Sequence, residues 1–138
     1  MLTYQPASPD QLDEFLQLMQ EETAEYIDTT LALMQMSLDQ FKHLLRTRGN
    51  VYGIYQDNQL VGYYWIEERG DILHLHGLIL KEGFRGKGIG SEVLQMLADR
   101  YAGKMVAIEL GVHESNARAR SLYERMGYRT VRHLVDLG

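Results

Sequence analysis

The sequence contains no cysteine. That excludes an acyl-cysteine intermediate, a disulfide framework and a Cys-ligated zinc site, and it fits a reducing compartment. Proline is almost missing too, with two residues, Pro6 and Pro9, and no stretch reads as a linker, a repeat or a low-complexity tract. No apolar run is long enough to cross a bilayer. The first ten residues lack the basic start and apolar core of a signal peptide, so a cytoplasmic location is expected. Positive charge is in deficit, 14 Lys and Arg against 19 Asp and Glu, a formal net charge of −5. Broad electrostatic binding to nucleic acid or to anionic lipid is therefore not expected. A cationic partner, such as an amine or a basic peptide, suits the chain better. No metal site is expected.

What is present suits one domain over residues 1–138, with enough chain to bury a core unaided. Leu2 to Gln5 reads as a short strand, and Pro6 and Pro9 as breaks. Ser8 or Asp10 can cap a helix with Leu12, Phe15, Leu16 and Met19 on one face. A second helical stretch is expected over 23–36, with Glu21, Glu22, Glu25 and Asp28 at its front. A third starts at Ser37, carries Phe41, Leu44 and Leu45, and ends at Gly49-Asn50. Val51 to Gln56 and Gln59 to Glu68 then form a hairpin about Asp57-Asn58. Arg69-Gly70-Asp71 is a turn. Ile72 to Leu80 is a strand, apolar except for His74 and His76, which suggests burial on both faces. A helix over Gly88–Tyr101, a strong strand over Met105–Val112, a helix capped by Ser115 or Asn116 and ended by Gly127, and a closing strand over 130–135 complete the order. This pattern implies an α/β fold with a mixed sheet.

Two segments carry chemistry. Phe84-Arg-Gly-Lys-Gly-Ile-Gly90 stands between a strand and an amphipathic helix. Alternate glycines let the backbone approach a ligand closely, and the free amides of the first helical turn favour a phosphate or pyrophosphate. Arg85 and Lys87 add charge. The spacing fits neither a dinucleotide-binding fingerprint nor a P-loop, and a merely tight turn is the plainer alternative. In the last helix, Asn116 and Tyr123 are seven residues apart and share a face. Asn116 can bond an amide-bearing ligand and Tyr123 can donate a phenolic proton; a cap and a core aromatic are the alternatives.

Taken together, the segments resemble the GNAT N-acetyltransferases. Arg85, Gly88 and Gly90 match the acetyl-CoA signature, Arg or Gln, two residues, Gly, one residue, Gly or Ala. Asn116, Ala119, Tyr123 and Gly127 fall in register with the second motif. The resemblance implies a mixed, mostly antiparallel sheet with helices on both faces, splayed between the strand before the loop and the strand before Asn116, with acetyl-CoA in the splay. It implies that the backbone of Leu78, Ile79 and Leu80 pairs with the pantetheine arm, and that the amides of Arg85, Gly86, Lys87, Gly88, Ile89, Gly90 and Ser91 hold the pyrophosphate. Asn116 and Ala119 would contact the pantetheine chain, and Tyr123 would protonate the departing thiolate. A backbone N–H near Leu80 would stabilise the developing oxyanion.

His74 and His76 lie one residue apart on a strand and face the same side. Histidine titrates where a general base must. His74-Leu-His-Gly-Leu-Ile-Leu is locally similar to the matching strand of the arylalkylamine N-acetyltransferases, where a histidine pair lies in the acceptor tunnel. A structural, hydrogen-bonded pair is the alternative, and Glu109 is a further candidate base. The acceptor side would include Tyr26, Tyr63, Tyr64 and Trp65. The expected reaction is direct acetyl transfer from acetyl-CoA to a primary amine; a non-catalytic acyl-CoA-binding module of the same fold is the competing expectation. A homodimer through a sheet edge or the closing strand stays open.

Overall fold

The structure, a computed structural model, describes residues 1–22, 35–112 and 116–129. The helix expected over 23–36 lies almost wholly outside these residues. The closing strand over 130–135, Tyr26 and Ser115 lie wholly outside them.

Strand β1 (Leu2–Pro6) leads to helix α1 (Pro9–Glu22). Pro9 does not break the chain but opens the helix at its first position, where a missing N–H costs nothing. Ser8 is the cap: its Oγ accepts from the Gln11 amide at 3.2 Å, and Gln11 Oε1 accepts from the Ser8 amide at 2.9 Å. Helix α2 (Leu38–Thr47) repeats the device with Ser37 and Gln40. Then come β2 (Asn50–Gln56), β3 (Gln59–Arg69) and β4 (Ile72–Leu80). The β2–β3 turn is carried by Asp57 and Asn58, both at positive φ, as a tight hairpin requires. Helix α3 (Ile89–Tyr101), β5 (Ala107–Leu110) and α4 (Ala117–Arg125) follow.

The sheet order is β1-β2-β3-β4-β5, antiparallel throughout except for the parallel β4–β5 pair. This is the expected mixed α/β fold. Pro6 is tolerated because β1 is an edge strand. Each sheet face has its own core. Tyr64, Ile66, Leu73 and Leu75 pack with Ile89, Val93, Leu94 and Leu97 of α3. Tyr63, Trp65 and Ile79 pack with Phe15, Leu16 and Leu45 of α1 and α2. All three residues of Tyr63-Tyr-Trp65 are thus buried, because β3 is central and covered on both sides.

Two departures from expectation shape the site. The strand expected over Met105–Val112 is only four residues long, Ala107–Leu110. It pairs with Ile72 to Leu75 and then parts from β4, which continues to Leu80 paired with β3. The second departure is a bulge in β4. Trp65 faces Gly77 and Ile66 faces Leu75, leaving His76 as the extra residue. The bulge inverts the alternation. Leu73 and Leu75 lie on the α3 face before it, and Leu78 and Leu80 after it, whereas Ile79 turns to the α1 face.

Candidate active site

The parting of β4 from β5 leaves one backbone edge open. Lys81 N–H donates to the Val61 carbonyl at 2.8 Å, and the Ile79 carbonyl faces Gly62, so odd-numbered residues here bond toward β3. By alternation Leu78 and Leu80 turn their N–H and C=O groups to the other side, where no described strand pairs with them. Arg85 Nε donates to the Leu80 carbonyl at 3.1 Å, which folds the glycine loop back on the strand end. The expected contribution of Leu78 and Leu80 is therefore available as backbone, whereas Ile79 is bonded into the sheet.

The loop then delivers the chain into α3. The glycines serve different ends. Gly86 and Gly88 have φ of 74° and 83°, the left-handed region, and an added Cβ would meet nothing within 4 Å. Their need is conformational, and the surface above them is open. Gly90 is helical and buried, and a Cβ there would come to 3.0 Å from Leu122. Its need is packing: it brings the amino end of α3 against α4. Gly88, not the first helical residue, is the cap, and no side chain among those described satisfies the first amides of α3. Those N–H groups and the helix dipole face the open loop, a seat for a phosphate-bearing ligand.

Helix α4 sets Leu122 against Gly90 at the start of α3. Asn116 Oδ1 accepts from the Ala119 amide at 3.2 Å, so Asn116 is a cap, as the plainer alternative had it. Its Nδ2 faces Glu22 Oε1 at 3.5 Å. The far end is closed at Gly127, φ 91°, by Gly127 N–H to the Glu124 carbonyl at 3.1 Å and Tyr128 N–H to the Tyr123 carbonyl at 2.9 Å. The Tyr128 ring also contacts that of Tyr123, 5.7 Å between centroids. The cap thereby fixes Tyr123 in place. Burial, helped by Glu22 and Tyr128, pushes its phenol up to about 12. It stays protonated at neutral pH, as a proton donor must.

The histidine pair lies on the opposite face. His76 stacks on Trp65, centroids 4.1 Å apart, and its Nε2 is 2.8 Å from Glu67 Oε1. His74 stands edge-on to His76 at 4.4 Å, with Nδ1 3.0 Å from Glu109 Oε1. Burial pushes the His76 imidazole below its usual range, against the opposing effect of its hydrogen bond to Glu67. Burial would raise Glu67, but its bonds to His76 and Arg69 outweigh that and hold it below the usual carboxylate range. Tyr63 and Trp65 share this face, whereas Tyr64 points to α3 and is not part of it, contrary to the expected acceptor side. Glu67, Arg69 and the bulge at His76 were not foreseen. Gly77 within an apolar strand was the available signal for the bulge, and the run 63, 65, 67, 69 on one face of β3 was the signal for the charged partners.

A family model described as the acetyltransferase (GNAT) family matches residues 12–128. The chain belongs to the GNAT acetyltransferase family. Solved structures agree in fold at low identity. Bacillus subtilis YycN, described as a candidate acetyltransferase, has a TM-score of 0.75 at 19% identity, covering 100% of this chain and 98% of that one. A ribosomal-protein-alanine N-acetyltransferase from Brucella melitensis gives 0.71 at 18%, covering 100% of both chains. A GNAT acetyltransferase from Elizabethkingia anophelis, solved with acetyl-CoA bound, gives 0.69 at 18%, covering 95% of this chain and 78% of that one. The chain is thus an acetyltransferase. Among its described residues no group of acidic, histidine or cysteine side chains is arranged to hold a metal, and no helix is long and apolar enough to cross a membrane. A cavity of about 500 Å³ lies elsewhere, between Tyr101, Met105, Ile108, Met126 and Tyr128. None of its lining residues belongs to the glycine loop or to the first turn of α3.

Proposed function

We propose that this enzyme moves the acetyl group of acetyl-CoA to a primary amine by direct attack in a ternary complex. The carrying observation is the open edge of β4 at Leu78 and Leu80, followed by the amino end of α3, whose Gly88 cap offers no side chain to its first amides. An extended amide-bearing arm ending in a diphosphate suits that pair of features, the arm as an added strand and the diphosphate on amides from Arg85 to Ser91. Acetyl-CoA supplies, when bound, the activated acetyl group and a thiol leaving group.

The chain's own residues do the rest. The Leu78 and Leu80 backbone orients the arm, and holding both reactants in register supplies much of the rate. In this reading the Leu80 N–H polarises a carbonyl lying along the edge. Tyr123, protonated and held by its helix cap, donates toward the leaving sulfur. On the other face His76, neutral at physiological pH, takes the proton of the incoming ammonium, with His74 as the alternative base or relay. Nothing in this scheme needs a covalent enzyme intermediate. The acidic balance of the chain favours a cationic acceptor, and residence in the cytoplasm belongs to the same reading.

The test is a panel of primary amines, polyamines and basic peptides assayed by thiol release. At least one should release CoA in stoichiometry with N-acetyl product. CoA binding without release on every acceptor would contradict the reading.

A further inference from the structure

We propose that Glu67 is a positioning residue that fixes the tautomer of His76, so that Nε2 carries the ring proton and Nδ1 is the atom that receives one from the acceptor. The catalytic half rests on the reading of His76 as the base; the tautomer itself does not.

Glu67 sits among three donors. Its Oε1 accepts from Arg69 Nε at 2.9 Å and lies 2.8 Å from His76 Nε2, while its Oε2 is 3.5 Å from Arg48 Nε. A carboxylate beside two guanidinium groups is ionised and can only accept. The ring nitrogen facing it must therefore bear the hydrogen. In a neutral imidazole the other nitrogen, Nδ1, is then the lone-pair site.

The ring has little freedom to escape this arrangement. The His76 side chain is 10% exposed and that of Glu67 18%. Trp65 lies flat against the imidazole, 23° between planes, and its own indole N–H donates to the Arg48 carbonyl at 2.7 Å. The bulge sets His76 over this indole. The charged and titratable groups around His76 come from several elements: Glu67 and Arg69 from β3, Arg48 from the end of α2, His74 from its own strand, and Glu109 from β5. Arg69 spans both pairs, its NH1 being 3.9 Å from Glu109 Oε1. The carboxylate also favours the imidazolium once formed, as an orienting carboxylate does in a nucleophile–histidine–acid triad. The step balances: an R–NH3+ gives its proton to Nδ1, leaving R–NH2 and an imidazolium that later returns the proton to solvent.

Long-range 1H–15N spectra of the full-length protein, followed across pH, decide the matter without any acceptor. Glu67→Ala removes the acceptor oxygen, and Glu67→Gln keeps the side chain's shape should the first variant fold poorly. A thermal shift with CoA confirms folding in each. Wild type should show His76 as the Nε2–H tautomer. Glu67→Ala should populate the Nδ1–H form, and in both variants the His76 titration should move down by about one pH unit, because the carboxylate that favoured the imidazolium is gone. A wild-type Nδ1–H tautomer, or an unmoved titration in the folded Gln variant, overturns the proposal. Kinetics test the reading beneath it separately. His76→Gln should lower kcat at least 10-fold with little change in KM for acetyl-CoA. Wild-type turnover in that variant, with the tautomer as expected, would overturn the catalytic half alone.

Discussion

The two faces of the sheet are built by different means. On the α3 side the site consists of backbone: the Leu78 and Leu80 edge, the left-handed Gly86 and Gly88, and the first amides of α3. On the α1 side it consists of side chains, two histidine–glutamate pairs joined by Arg69 against a stacked tryptophan. A backbone site tolerates few sequences, because only particular residues allow its conformation. A side-chain site can be rebuilt with many residue types. In the proposed function the backbone face would serve the cosubstrate and the side-chain face the acceptor.

The largest effect is expected at Tyr123 of α4, whose ring packs against Tyr128. Tyr123→Phe should lower kcat about 100-fold, the usual reach of a general acid, with the affinity for CoA nearly unchanged. Steady-state kinetics beside calorimetry check this, and an unaltered kcat over the full pH profile removes the acid from the account. Gly88→Ala strikes the backbone face. Forcing a side chain into φ 83° costs about 1–2 kcal/mol, so CoA binding should weaken about 10-fold while the His76 titration stays put. Equal binding by the variant would show that the left-handed cap is dispensable.

The α1 face should announce itself in the pH dependence of stability. Burial holds His76 below its ordinary range, so the folded protein binds fewer protons than the unfolded chain just beneath pH 6.5. Its contribution is complete above that pH and is lost as pH falls toward the depressed folded value, with a slope of at most about 1.4 kcal/mol per pH unit. Urea melts between pH 7.5 and 5.5 should show this fall in wild type and a shallower one in His76→Gln. The smallest effect is expected away from both sites. The Tyr64 hydroxyl is buried with no hydrogen-bond partner among the described residues, between Tyr4 and Tyr52. Tyr64→Phe removes an unsatisfied group and should raise stability by about 1 kcal/mol, with kinetics untouched. A loss of stability would mean that the hydroxyl is satisfied after all.

The same contrast decides what the sequence made legible. Capping at Ser8, Ser37 and Asn116, the Asp57-Asn58 hairpin and the glycine loop are local, and local chemistry leaves a local pattern. So the fold and the backbone face were readable, and the expected strand bounds are close to those seen for β2, β3 and β4. The side-chain face depends on residues 9 to 35 positions apart, such as His76 with Glu67 and His74 with Glu109, and on a bulge that inverts which residues share a face. Strand alternation alone placed the histidines together but could not name their partners. Tyr64 was expected on the acceptor side because the resemblance assigns the central hairpin to it as a whole, whereas alternation turns Tyr64 away from Tyr63 and Trp65. The short β5 was missed for a related reason: an apolar run records burial, not where a strand loses its neighbour.

The most direct test is an amide-resolved titration of the protein with CoA and, separately, with pantetheine. CoA should shift the N–H signals of Leu78, Leu80 and the run from Gly86 to Ser91, whereas pantetheine, lacking the diphosphate, should shift only the two leucines. Shifts confined to the cavity at Met105, Ile108 and Tyr128, with the loop amides unmoved by CoA, would contradict the placement of the cosubstrate on which the account depends.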